Sequence, residues 1–389
     1  MAADPTYPLY SVFAFIGFIL ALVPLPWHLQ TANTGTCYYM IWTSLACLNE
    51  FVNSVVWADN ALNVAPVWCD ISTRITIGAS VGIPAASLCI NRRLYYIARM
   101  DAVAITRAEK RRTILIDSLI CILFPILCMV FAYIVQGHRF NIFEVLGCYP
   151  DVYNTLPSIF LVYTWPIVIG LVSAVYCVLS LHSLLKRQAQ FKQFLSSGAG
   201  LTPSRYYRLM ALSMTEILFT TPFGAYEIYS AVTGSSMQPW LGWANTHYNF
   251  SRVVQYPAIV WMSNPQLAIP LQLSRWIIVG CAFIFFAFFG FAEEARRRYY
   301  ALYSSLCSRM HSLRMLRGGP RDDLPFVTGH TKDATKREDT LPPYSPPAAS
   351  PGWRSLASVT TAGSDCTPIN TSFSDKFSPD EPGSPYDKC

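Results

Sequence analysis

Residues 113–135 read TILIDSLICILFPILCMVFAYIV, 23 positions with one charge, Asp117. A hydrocarbon core about 30 Å thick is crossed by roughly 20 apolar residues in a helix. The helix satisfies every backbone N–H and C=O within the segment, which lipid demands. A membrane strand needs only about 10 residues and alternates in polarity; this stretch does neither. It predicts a spanning helix. Working outward, six more segments meet the same standard: Tyr7–Trp27, Thr36–Ala58, Trp68–Ile90, Ile159–Leu181, Leu209–Val232 and Leu273–Ala292. The expected fold class is an all-α membrane protein, a seven-transmembrane helix bundle over residues 1–292 followed by a disordered C-terminal tail.

The charge distribution supports that division. Of 389 residues 13% are charged, against about 25% in a soluble domain. Residues 293–389 hold 13 Lys and Arg and 12 Asp and Glu, leaving 16 and 11 for the first 292 residues. Residues 293–317 read as a basic amphipathic segment, with Tyr299, Leu302, Leu306, Met310 and Leu313 spaced for one helix face on an anionic membrane surface. Residues 318–389, with TLPPYSPPAASPGW within them, have the Pro, Ser and charge content of a chain without a core.

Lys and Arg in the loops set the orientation. The third and fifth loops carry seven and five, and the tail opens with Arg296, Arg297 and Arg298. The first and second loops have none, and the fourth has only Arg139. The N-terminus is therefore expected outside and the tail in the cytoplasm. Asn249-Phe250-Ser251, in the sixth loop, is then a glycosylation pattern on the outer side. Of twelve cysteines, Cys69 and Cys148 fall in or next to an outer loop, where disulfides persist, and a bridge between them is expected. No cysteine or histidine grouping has metal-ligand spacing, and no nucleotide, metalloprotease or serine-nucleophile motif occurs. No cofactor, enzymatic activity or nucleic-acid partner is expected.

Ionisable residues inside spans are costly and mark interior or functional positions. Asp70 and Arg74 are one turn apart on helix three, and either pair with each other or line a ligand entrance. Glu50 shares a face with Asn53 and Trp57, a pattern expected mainly from helix packing through Asn. Glu216 and Glu227 lie on one stripe of helix six, with Pro222 between them. Asp117 is expected to reach Arg111 or Arg112, and Arg275 to cap helix seven on the outer side. Such acids would also serve a transporter's proton relay, although the two halves of the chain show no inverted repeat.

Four separated stretches add a resemblance. PLPWHLQTANTG (24–35), LNEFVNSVVW (48–57), APVWCDISTRI (65–75) continuing to LCINRRLY (88–95), and FFGFAEEARRRYY (288–300) together resemble the fungal lipopeptide (a-factor-type) mating pheromone receptors, class D of the G-protein-coupled receptors. The similarity runs over roughly residues 5–300. Helix three ends in Asn91-Arg92-Arg93-Leu94 rather than D-R-Y, and Asn264-Pro265, in the sixth loop, lacks the Tyr of N-P-x-x-Y; both departures fit class D. The resemblance implies a farnesylated peptide pheromone as ligand and a heterotrimeric G protein as effector. The peptide would meet Asp70, Arg74, Glu227 and Arg275 at the mouth. Its prenyl chain would meet the sixth-loop aromatics Trp240, Trp243, Tyr248, Phe250, Tyr256 and Trp261, and Trp68, at the outer mouth of helix three, is a further ligand-binding candidate. The G protein would meet Arg92, Arg93, Arg111, Arg112, Lys186, Arg187, Arg205 and Arg208, which anionic membrane lipids also attract. Whether the receptor dimerises is left open by these residues.

Overall fold

Seven long helices make up most of the computed structural model, which describes residues 7–31, 33–99, 107–186, 203–234, 236–291, 295–297, 299–301, 304–305 and 307–309. They are α1 (Leu9–Gln30), α2 (Thr34–Val56), α3 (Pro66–Arg99), α4 (Arg107–Ile134), α5 (Leu156–Lys186), α6 (Pro203–Gly234) and α7 (Pro265–Phe289). Five of them, α1, α3, α4, α5 and α7, are long and apolar enough to cross a membrane. All described residues belong to the unit 1–320; the second unit, 321–389, lies outside them, as does most of the expected amphipathic segment.

Proline chemistry shapes these helices. A five-residue π turn, Leu119–Leu123, lies just before Pro125 in α4, and its closing bond runs from Phe124 N–H to Leu119 O. A second, Ile159–Tyr163, precedes Pro166 in α5. Each absorbs the backbone mismatch that a ring without an N–H creates. Helix α7 starts at Pro265, eight residues before the expected Leu273. Asn264, expected in a loop, caps it: its Oδ1 accepts from Gln266 N–H at 3.1 Å, and Pro265 takes the first helical position. Arg275 therefore sits in the third turn, 1% exposed, and is not a cap.

Helix α3 is the central element, burying its length against α2, α4, α5 and α6. Small residues permit the close approach. The ring of Trp42 lies over Gly82, where a Cβ would come within 2.5 Å of the indole. The Trp42 N–H then donates to Cys121 O at 2.8 Å, joining α2 to the π turn of α4. In lipid such packing, rather than water exclusion, holds helices together.

One end of the bundle is covered by a sheet that the sequence reading left as loops. Strands β1 (Phe140–Phe143), β2 (Gly147–Tyr149) and β3 (Val253–Tyr256) take the order β2-β1-β3, antiparallel and then parallel. The Cys69–Cys148 bridge is formed, with Cα atoms 5.1 Å apart, and ties β2 to the first turn of α3. Phe140, Ile142 and Trp57 pack around it. Beside the sheet, a one-turn helix, Ala258–Trp261, buries Trp261 on Phe143 and Leu146.

Candidate functional site

At this sheet end, Asp70 and Arg74 do not pair with each other. Asp70 accepts a two-pronged bond from Arg139, Nε to Oδ1 at 2.9 Å and Nη2 to Oδ2 at 2.5 Å. Arg74 donates to Gln136 Oε1 at 2.5 Å and lies 5.8 Å from the Tyr133 ring centre. Both side chains thus hold the α4–β1 connection rather than one another. The Asp70–Arg139 pair is 44% and 35% exposed, so its stabilisation is modest, about 0.2–1 kcal/mol. Asp70→Asn is accordingly expected to change thermal stability little. A loss of ligand potency beyond about tenfold at unchanged surface level would then register a ligand contact; parallel loss of both would assign the pair to folding alone.

A second group lies deeper. The Tyr10 hydroxyl donates to Glu50 Oε2 at 3.1 Å, and its ring lies 4.4 Å beneath the Arg275 guanidinium. Arg275 Nε donates to Gln272 Oε1 at 2.8 Å. From the sheet, the Tyr149 hydroxyl reaches Ser274 and feels the charge of Glu227, which also acts on Tyr163. Burial first, and then Glu227, push the Tyr149 hydroxyl above its ordinary range. Six helices and strands, α1, α2, α5, α6, α7 and β2, thus bring acids, one guanidinium and phenols together below the sheet. Tyr10 and Tyr149 were missed by the sequence reading, because neither a Tyr in an apolar run, as Tyr10 is, nor one in a loop, as Tyr149 was read, carries a signal of its own.

The Asn53 expectation holds: its Nδ2 donates to Ser72 Oγ at 2.9 Å and its Oδ1 accepts from Trp68 Nε1 at 2.8 Å. Trp68 is therefore an α2–α3 clamp. Trp261 is fully buried and donates to Glu144 O at 3.1 Å, so it belongs to the cover's own core. Asn249 is exposed, at φ 51°. Glu216 lies on α6, but its side chain falls outside the described residues.

At the opposite, basic end, Asp117 is 1% exposed and pairs with Arg92 at 2.7 Å, not with Arg111 or Arg112, and also accepts from Thr34 Oγ1. Helix α3 passes Asp117 inside the bundle, whereas Arg111 and Arg112 point outward. Arg92 is thereby turned into the bundle, and Arg93 donates to Asn33 Oδ1 at 3.2 Å. Arg208 stacks 5.9 Å from the Phe289 ring centre. Arg111, Arg112 and Lys186 are exposed. Arg187 and the Arg205 side chain lie outside the described residues.

The cover carries a titratable latch. Buried His138 places Nδ1 3.0 Å from Asp151 Oδ2 and Nε2 2.8 Å from Asn141 Oδ1, with Arg252 Nη2 at 3.4 Å. Burial opposes the charged imidazole most strongly, but the Asp151 bond, its charge and the Asn141 bond outweigh it against Arg252, and the pKa is raised. The stabilisation is complete below the unfolded value near 6.5 and is lost as pH rises through the higher folded value. Amide exchange over 137–151, corrected for its intrinsic pH dependence, is expected to speed up from acid to alkaline pH, and His138→Ala to remove that dependence. An unchanged profile in His138→Ala would exclude the latch.

The family model for the pheromone A receptor matches residues 9–309. The chain is 56% identical over 304 residues to the pheromone B alpha 3 receptor of Schizophyllum commune, covering 78% of this chain and 49% of that one. It is 53% identical over 329 residues to the pheromone B alpha 1 receptor of the same fungus, covering 85% and 52%. To the pheromone a factor receptor of Saccharomyces cerevisiae it is 26% identical over 292 residues, covering 73% and 59%. The chain spans about half the length of the Schizophyllum relatives it matches. With the family model covering most of its length, the chain belongs to the pheromone A receptor family.

Proposed function

We propose that the protein is a mating pheromone receptor that binds a farnesylated peptide and activates a heterotrimeric G protein. In this reading all seven helices cross the plasma membrane, with the sheet end and the N-terminus outside and the basic end in the cytoplasm. The polar cluster of Tyr10, Glu50, Arg275, Tyr149 and Glu227 beneath the sheet carries the reading, since it offers a peptide both charge signs and phenolic donors. For the prenyl chain, the uncharged stretch 236–251 presents Trp240, Leu241, Trp243 and Tyr248, of which Leu241 is 70% and Tyr248 82% exposed. Trp243 and Phe250 pack on Tyr133 at the end of α4, so this apolar surface adjoins a span. Exposed Arg111, Arg112 and Lys186 supply the cytoplasmic docking charge. Ligand need only favour one arrangement of the bundle over another to shift its population.

The test is a G-protein-dependent reporter in a tester cell lacking its own pheromone receptor. A panel of synthetic peptides, each with and without its farnesyl group, is applied. Output is expected from at least one farnesylated peptide and to vanish when the Gα subunit is deleted. Silence across a broad panel, with the protein at the surface, would overturn the reading.

A further inference from the structure

Within the bundle, α3, α5 and α6 meet at a small cavity whose lining includes Pro84, Ser87, Pro166, Ser173, Ile217 and Thr221. It has room for about one water molecule. Two hydroxyls there are out of order. Ser and Thr in apolar helices normally bond the carbonyl one turn back, as Ser80, Ser118, Ser213 and Thr215 do. Ser87 Oγ and Thr221 Oγ1 are buried and make no hydrogen bond, and Ser87 is 2% exposed. Thr221 cannot be relieved by a tighter fit, because its oxygen already abuts Gly170, where any Cβ would collide with it.

The surrounding backbone adds to the demand. Pro84 withholds the N–H that the Ser80 carbonyl would receive, and Pro166 and Pro222 withhold theirs from α5 and α6. Leaving such groups bare in hydrocarbon is costly, whereas one water with two to four partners satisfies them. Beside the cavity a closed polar chain joins the same three helices. Asn91 Nδ2 donates to Ser173 Oγ at 2.8 Å, and Ser213 Oγ donates to Asn91 Oδ1 at 2.6 Å, all buried. Ser173 belongs to both the chain and the cavity wall.

We propose that this junction binds one structural water that bridges Ser87 and Thr221 and, beside the chain of Asn91, Ser173 and Ser213, ties α3, α5 and α6 together.

Purified full-length protein in detergent tests the water. Thr221→Val keeps shape and removes the hydroxyl. If a water is bound, Tm is expected to fall by about 2–4 °C, Ser87→Ala to do the same, and the double variant to lose no more than one single, because both act on one molecule. Thr221→Ser should restore the wild-type Tm. If the site is dry, removing an unsatisfied hydroxyl leaves Tm unchanged or raises it, and the proposal is overturned. Hydroxyl-radical labelling in H2-18O gives a readout independent of stability: oxidation at Ile217 or Pro84 is expected in wild type and lost in the double variant.

Discussion

Arg275→Leu is expected to abolish most folded protein at the cell surface, because it removes the cation of a buried polar group that joins three helices. The guanidinium is buried over the Tyr10 ring, and Tyr10 donates to Glu50, so one phenol joins the two charges across α1, α2 and α7. Removing the cation takes away the positive charge nearest the Tyr10–Glu50 pair inside the bundle, which is more costly than removing both charges. Glu50→Gln combined with Arg275→Leu is therefore expected to recover much of the lost stability, a non-additivity that a double-mutant cycle measures. Thermal unfolding in detergent, monitored alongside surface immunolabelling, separates the outcomes. A double variant as unstable as Arg275→Leu would show that Arg275 contributes packing alone. Recovered folding without recovered pheromone response would place the charges at the ligand.

Cys69→Ser ranks next, with a loss of about 2–4 kcal/mol and failure to respond to ligand. The bond closes a separation of 79 residues and fixes β2 against α3. Once it is cut, Tyr149 on the same strand is no longer held over Ser274 and Glu227. Cys148→Ser and the double variant are expected to match Cys69→Ser in Tm and in response, since each removes the same bond. A double variant clearly worse than either single would give the cysteines separate roles.

The helices were legible in the sequence because lipid imposes a length and a composition on any spanning segment, and residues 113–135 meet both. The disulfide was legible because the expected topology placed two cysteines on one side, where disulfides persist. Partners across the bundle were not. Asp117 has Arg111 and Arg112 nearer in sequence, yet Arg92 on α3 reaches it inside the bundle. Asp70 was read as either pairing with Arg74, one turn away, or lining a ligand entrance with it, whereas its partner is Arg139 of the fourth loop. Helix α7 was started late because Asn264-Pro265 punctuates chain in either sense, as loop or as cap and first turn. The sheet left no trace, since β1 pairs in parallel with β3 more than a hundred residues on, and strands of three or four residues carry no readable period.

In the proposed complex the peptide part of a prenylated ligand docks among Tyr10, Glu50, Arg275, Tyr149 and Glu227, beneath the sheet. Photo-crosslinking tests it most directly, using an active farnesylated peptide with a benzophenone placed in its peptide portion and mass-spectrometric mapping of the adduct. Adducts are expected on β2 around Tyr149 and on α6 around Glu227, and are expected to disappear under competition by unmodified peptide. Specific adducts confined to residues 236–251, with none on β2 or α6, would contradict the account.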